Sequence, residues 1–153
     1  MISALKTELV AKLKELLPSL ADAIFNDDAG DVWNWAVTGG SHEVCTHKNA
    51  REALRALGAA IVVCSPSQRK TLDAVPYAAV REARFPIIVL SGPIKKDAPN
   101  HDDLVTEVER VVLSVQHSCF KQRFILGEVA RFEVPNSSVV FAHCQYKINL
   151  KNV

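Results

Sequence analysis

Residues 139–150 read VVFAHCQYKINL, and the alternation in that stretch decides how the rest of the chain is read. Val140, Ala142, Cys144, Tyr146, Ile148 and Leu150 are apolar, whereas His143, Gln145, Lys147, Asn149 and Lys151 are polar. Strict period-two alternation predicts a strand with one face on a core and one towards water. At about 3.3 Å per residue the stretch would extend roughly 40 Å, against a radius of gyration of about 15 Å for a domain of this length. Such a strand crosses the whole domain or overhangs it. An overhanging strand needs a partner, in a small protein often another subunit. Just upstream, FILGEVARFEV (124–134) predicts a second strand, joined to the first by the four-residue connection Pro135-Asn136-Ser137-Ser138. The two together predict one long hairpin.

Upstream lies the clearest helix. In HDDLVTEVERVVLSV (101–115), Leu104, Val105, Val108, Val111, Val112 and Val115 form one apolar face, which leaves Glu107, Glu109 and Arg110 outside. Asn100 suits its N-cap, and Asp102 and Asp103 suit the positive end of the helix dipole. FPIIVL (85–90) predicts a strand whose Pro86 favours an edge or a bulge. Pro76–Arg84 supports either a helix begun by Pro76 or a half-exposed strand running into Phe85. AAIVVC (59–64) predicts a buried strand, preceded by a short helix AREALRAL with Asn49 as N-cap and Gly58 as terminator. Residues 3–17 predict an amphipathic helix capped by Ser3. In it Leu5, Leu9, Val10, Leu13, Leu16 and Leu17 oppose Lys6, Glu8, Lys12, Lys14 and Glu15. Pro18 either kinks it or starts a further turn towards Phe25. Residues 26–31, 65–70 and 91–99 read as polar loops or connections, and 32–48 as a short strand around Trp33 and Trp35 followed by a Gly-Gly turn. The order predicts one α+β domain over residues 1–153, a mostly antiparallel sheet with helices packed on one face and a long C-terminal β-hairpin.

Composition narrows the function classes. A chain of 153 residues, 48% hydrophobic and 23% charged, suffices for one core. Its formal net charge of +1 provides no strong field for nucleic acid or an anionic membrane. No apolar run reaches membrane-spanning length, and MISALKTELVAKLKELL lacks the unbroken apolar core of a signal peptide. Cys45, Cys64, Cys119 and Cys144 form no CxxC pair, and Cys64 and Cys144 fall in apolar strand patterns, as reduced buried thiols do. These features lead us to expect a soluble intracellular protein.

Side chains that could carry chemistry are scattered. His42, Cys45 and His47 are the one compact set of metal-ligand types, but a structural zinc site usually pairs two half-motifs, and there is no second. A cysteine nucleophile needs a histidine base in reach. His143 and Cys144, as strand neighbours, point to opposite faces, and no nucleophile-elbow pattern surrounds His117-Ser118-Cys119. Ser91-Gly92-Pro93-Ile94-Lys95-Lys96 lacks the spacing of a phosphate-binding loop. Asp27, Asp28 and Asp31 lack the calcium-loop register, and Asp102-Asp103 is explained by helix capping. Lys95-Lys96 and Arg69-Lys70 have no interleaved aromatic residues for stacking on nucleotide bases. Trp33 and Trp35 would share a strand face and suit core packing or a subunit contact equally. No catalytic, cofactor-binding or metal-binding residue is assigned, and the expectation is a protein that is not an enzyme.

The arrangement of elements points further than any motif. The N-terminal amphipathic helix, the strands AAIVVC and FPIIVL, the helix HDDLVTEVERVVLSV and the closing hairpin FILGEVARFEV–PNSS–VVFAHCQYKINL resemble the tail terminator (tail-completion) proteins of long-tailed bacteriophages and related contractile particles. The resemblance covers most of the chain in order and length, leaves residues 26–58 unmatched, and carries over no catalytic residue. It implies a virion structural protein, a homo-hexameric ring at the tail–neck junction. That ring caps the tail tube, ends its polymerisation and joins the tail to the neck of the head. The implied partners are the tail tube protein (with the sheath if the tail is contractile) and a neck or connector protein. DNA would pass through the lumen, no membrane would be involved, and assembly would occur in the host cytoplasm. The rivals are another neck or head-completion protein, a small cytosolic enzyme with its site built from residues such as His42, Cys45 and His47, and a free-standing bacterial interaction module with no phage role.

The terminator and enzyme readings separate on metal. Elemental analysis of the purified protein should show no stoichiometric zinc, and His42→Ala with Cys45→Ala should leave folding intact. Stoichiometric zinc lost in the double variant would revive the enzyme.

Overall fold

Two strands of nearly equal length run side by side through the middle of the sheet that the described residues form. The structure is a computed structural model and describes residues 2–27, 48–65, 68–75, 78–91, 100–116, 120–131 and 137–149. Helix α1 (Ile2–Leu16) passes through a 3₁₀ turn (Pro18–Ala23) into strand β1 (Ile24–Asp27). Helix α2 (Lys48–Leu57) precedes β2 (Ala59–Cys64), β3 (Gln68–Val75) and β4 (Ala78–Ser91). Helix α3 (His101–Ser114), β5 (Phe120–Arg131) and β6 (Ser137–Asn149) follow. Among the described residues the sheet runs β1-β2-β4-β6-β5, with β3 also on β4. It is mixed: β1 lies parallel to β2, and every other pairing is antiparallel. The fold is therefore α+β.

β4 and β6 pair from Ala78–Asn149 through to Leu90–Ser137, thirteen consecutive partners. On its other edge β4 meets β3 along Ala78–Arg84 and β2 along Ile87–Ser91. The ambiguous stretch 76–84 is thus a strand from Ala78 onward. Pro86 stands in the gap between these two partners, with Phe141 opposite it on β6. Neither β2 nor β3 has a residue paired with it on that edge, the kind of break at which a proline is tolerated. The strand is central, but at Pro86 it is paired on the β6 side alone, so the position is a local edge. β6 begins at Ser137, so Ser137 and Ser138 belong to the strand and not to a turn.

Helices cover the sheet on both sides, a correction to the expectation of one. Leu5, Leu9, Leu13 and Leu17 of the first helical segment and Leu104, Val108, Val111 and Val112 of α3 share one cluster with Ala59, Ile61, Val63, Phe85, Ile87, Val89, Val140, Ala142, Cys144 and Tyr146. Ala50, Ala53 and Leu54 of α2 form a second cluster with Ala60, Val62, Cys64, Ile88 and Leu90 from the opposite sheet face. The physical reason lies in β2 itself. AAIVVC has no polar alternation, and all six residues are buried, as in a strand covered on both faces. Phe85 and Phe124 meet edge to face, 5.8 Å between centroids, and tie β4 to β5 across β6.

Local chemistry explains the helix ends. Asn100 accepts a hydrogen bond from the Asp103 backbone N–H at 3.2 Å, capping α3. Gly58, at φ 75°, ends α2 in the left-handed conformation a side chain would disfavour. Leu17 still donates to the Leu13 carbonyl at 2.9 Å, and Pro18 then opens the 3₁₀ turn. Ile24–Asp27, expected as the end of a helical turn and the start of a loop, instead adds β1 beside Ile61–Cys64. The loop expected at 65–70 also gives way to β3 from Gln68. The calls on Trp33, Trp35, His42, Cys45 and His47 lie outside the described residues.

Val108 and Val112 are fully buried, and Arg110 faces solvent. An unpaired charge at such a site costs several kcal/mol, comparable with a small domain's whole stability. Val108→Asp should therefore abolish soluble protein on expression, while Glu109→Lys should leave the circular dichroism spectrum unchanged. A normally folded Val108→Asp protein would contradict this packing.

Candidate functional site

Two polar constellations break the apolar pattern, and they differ in access. The first joins three elements. Ser91 ends β4, His101 opens α3 and Ser138 lies near the start of β6. Ser91 Oγ is 2.9 Å from His101 Nδ1, and His101 Nε2 is 2.7 Å from Ser138 Oγ. A neutral imidazole donates from one nitrogen and accepts at the other, and each hydroxyl can take the complementary role. The three residues are 2%, 7% and 1% exposed. Enclosed in this way, the three side chains act as a polar pin between helix and sheet. It fixes where the N-terminus of α3 sits over two strand ends, and both hydroxyls would lose a partner without the ring. Sequence reading missed it, because His101 reads as one more surface residue in a helix first turn.

The second constellation is open. Glu82, Ile125, His143, Cys144 and Gln145 line a shallow groove beside the edge strand β5. His143 Nδ1 lies 3.8 Å from Glu82 Oε1, and both side chains are partly exposed. Next to them the Arg84 guanidinium stacks over the Phe141 ring, 3.7 Å from its centroid. The groove depends on Gly127. A Cβ there would come 2.6 Å from His143 Nε2 and 2.9 Å from its Cδ2, closer than atoms tolerate. The missing side chain lets the imidazole lie flat against β5, where the ladder is irregular between Leu126 and Val129.

Among the described residues no three histidine, cysteine or acidic side chains gather as a metal set, and no helix is long and apolar enough to cross a membrane. Cys64 and Cys144 are buried. Cys144 belongs to the main core, and His143 points the other way, so the two do not form a nucleophile and base. Asp102 and Asp103 occupy the exposed first turn of α3. Lys95, Lys96, His117, Cys119, Asp28 and Asp31 lie outside the described residues. Arg69 and Lys70 fall on β3 and Asp27 on β1.

Gly127→Ala should cost about 1 kcal/mol in urea unfolding through the forced movement of His143. In a His143→Ala background the same change should be nearly neutral, a coupling that a double-mutant cycle reads directly. An equal cost in both backgrounds would show that backbone strain, rather than the histidine, sets the requirement. The chain matches no protein-family model and no curated protein sequence.

Proposed function

We propose that this chain is a structural ring subunit of a long-tailed phage or related particle, a tail terminator that caps the tail tube and joins it to the neck. Six copies make the ring, and the tube protein and a neck protein are its partners. The observation that carries the reading is the long central ladder, with β5 as an edge strand beside it. β6 lies between β4 and β5 and does not overhang, so among the described residues the edge strands are β1, β3 and β5, and β5 exposes Ile125 and Val129 at 47% and 42%. Three irregularities interrupt the β5 ladder. Bulges of that kind discourage regular strand addition, which favours contact through side chains on the sheet's faces.

The polar constellations support a structural role too. One is sealed inside, and the other is a shallow groove with a single histidine–carboxylate approach. The extended β3–β4–β6–β5 end offers a broad, stiff surface suited to a neighbour of the same kind. Native mass measurement of the purified protein in physiological buffer should show a closed ring of six, and the same protein mixed with tail tubes should be found at their head-proximal ends. A chain that stays monomeric both free and on tubes would end the proposal.

A further inference from the structure

Two surfaces on opposite sides of the sheet have complementary character. The first is the outward stripe of α3. Asp102, Thr106, Glu109 and Leu113 recur at spacings of four, three and four residues, which places them on one helix face. Leu113 is 49% exposed, a large apolar side chain with no cover from the core. The helix carries four acidic residues (Asp102, Asp103, Glu107, Glu109) against one Arg110, which pairs with Glu107, for a net charge of −3. The second surface is the groove on the other sheet face, where Ile125 is 47% exposed beside His143, Gln145 and Glu82. Lys147 follows on the same face of β6 and is exposed. On that face this end of the sheet carries Arg84 and Lys147 against Glu82 among the side chains described, whereas Arg81, opposite Tyr146, lies on the other face.

We propose that the α3 stripe of one copy seats on the groove of the next copy, Leu113 against Ile125, with the acidic residues of the helix facing Lys147 and Arg84. The inference rests on the ring reading and names its contact. A ring needs a heterologous interface, two different patches that fit each other, because a self-complementary patch closes a dimer instead. α3 lies over the face that holds Val140 and Ala142, and the groove lies on the face of His143 and Gln145. The patches therefore point away from each other, as head-to-tail contact requires. Their opposite charges favour this pairing over α3 on α3, where like charges would meet. A second copy of this chain is thus the occupant that the charge pattern selects.

The test is a charge exchange, with association read by native mass and sedimentation over a concentration series. Glu109→Lys and Lys147→Glu, both at exposed or half-exposed positions, should each weaken association by on the order of tenfold. Circular dichroism should confirm that both variants fold. The double variant Glu109→Lys/Lys147→Glu should recover most of the loss, and Leu113→Ser should weaken association without a charge change. Single reversals that assemble like the wild type, or a double variant no better than either single, would overturn this interface while leaving a ring intact. A wild-type protein that forms no ring, free or on tubes, would overturn the ring reading itself.

Discussion

The long antiparallel pairing of β4 with β6 is the interaction on which the rest of this structure depends. It joins segments some fifty to seventy residues apart, so its closure orders most of the intervening chain. Phe85, Ile87, Val140 and Ala142 face one core, and Ile88 faces the other, only because these two strands hold a single register. In a strand a shift of one residue exchanges the faces. Here it would turn Arg84 and His143 into the packed side and expose Phe85 and Ala142, a cost far beyond a small domain's margin.

Upon that ladder the molecule builds two unlike halves. At one end of β4, helices cover both faces and β2 is buried throughout. At the other end, β3 and β5 flank the central pair with partly exposed polar side chains. Core residues run into both halves, Ala83, Cys144 and Tyr146 among them, while the second half also exposes polar side chains. The Ser91–His101–Ser138 pin lies in the first half and aligns α3 along the sheet. It thereby sets which helix residues face outward near the second half. On the proposed reading, one buried histidine governs the aim of an assembly surface well beyond it.

Much of this was legible from residues alone, where a single period dominated. The stripe Leu104–Val108–Val112 and the quartet Leu5–Leu9–Leu13–Leu17 foretold helices and their buried faces, and the alternation from Val140 foretold β6 and its inward residues. Segments whose structure depends on a distant neighbour were harder. Ile24–Asp27 becomes a strand only because Ile61–Cys64 lies beside it, and Gln68–Val75 only because the first half of β4 does. The unbroken apolar run of β2 did hold the clue that helices cover both faces, but burial in a sheet and burial between layers look alike in six residues. The groove was invisible for a related reason. Gly127, Glu82 and His143 come from three strands, and no spacing along the chain reports their meeting.

Pro86 gives the central sheet a safeguard against misalignment. It occupies the break between β2 and β3, where neither strand pairs with it. Slide β4 along that edge by two residues, and hydrophobic faces would still match while a residue with no N–H to donate would enter a paired stretch. Patterning of side chains cannot reject that error, since its period is two; the proline can. A residue that is usually a disturbance in a sheet thus acts here as a key cut for one lock, admitting the native alignment and penalising the nearest alternative that the core would accept.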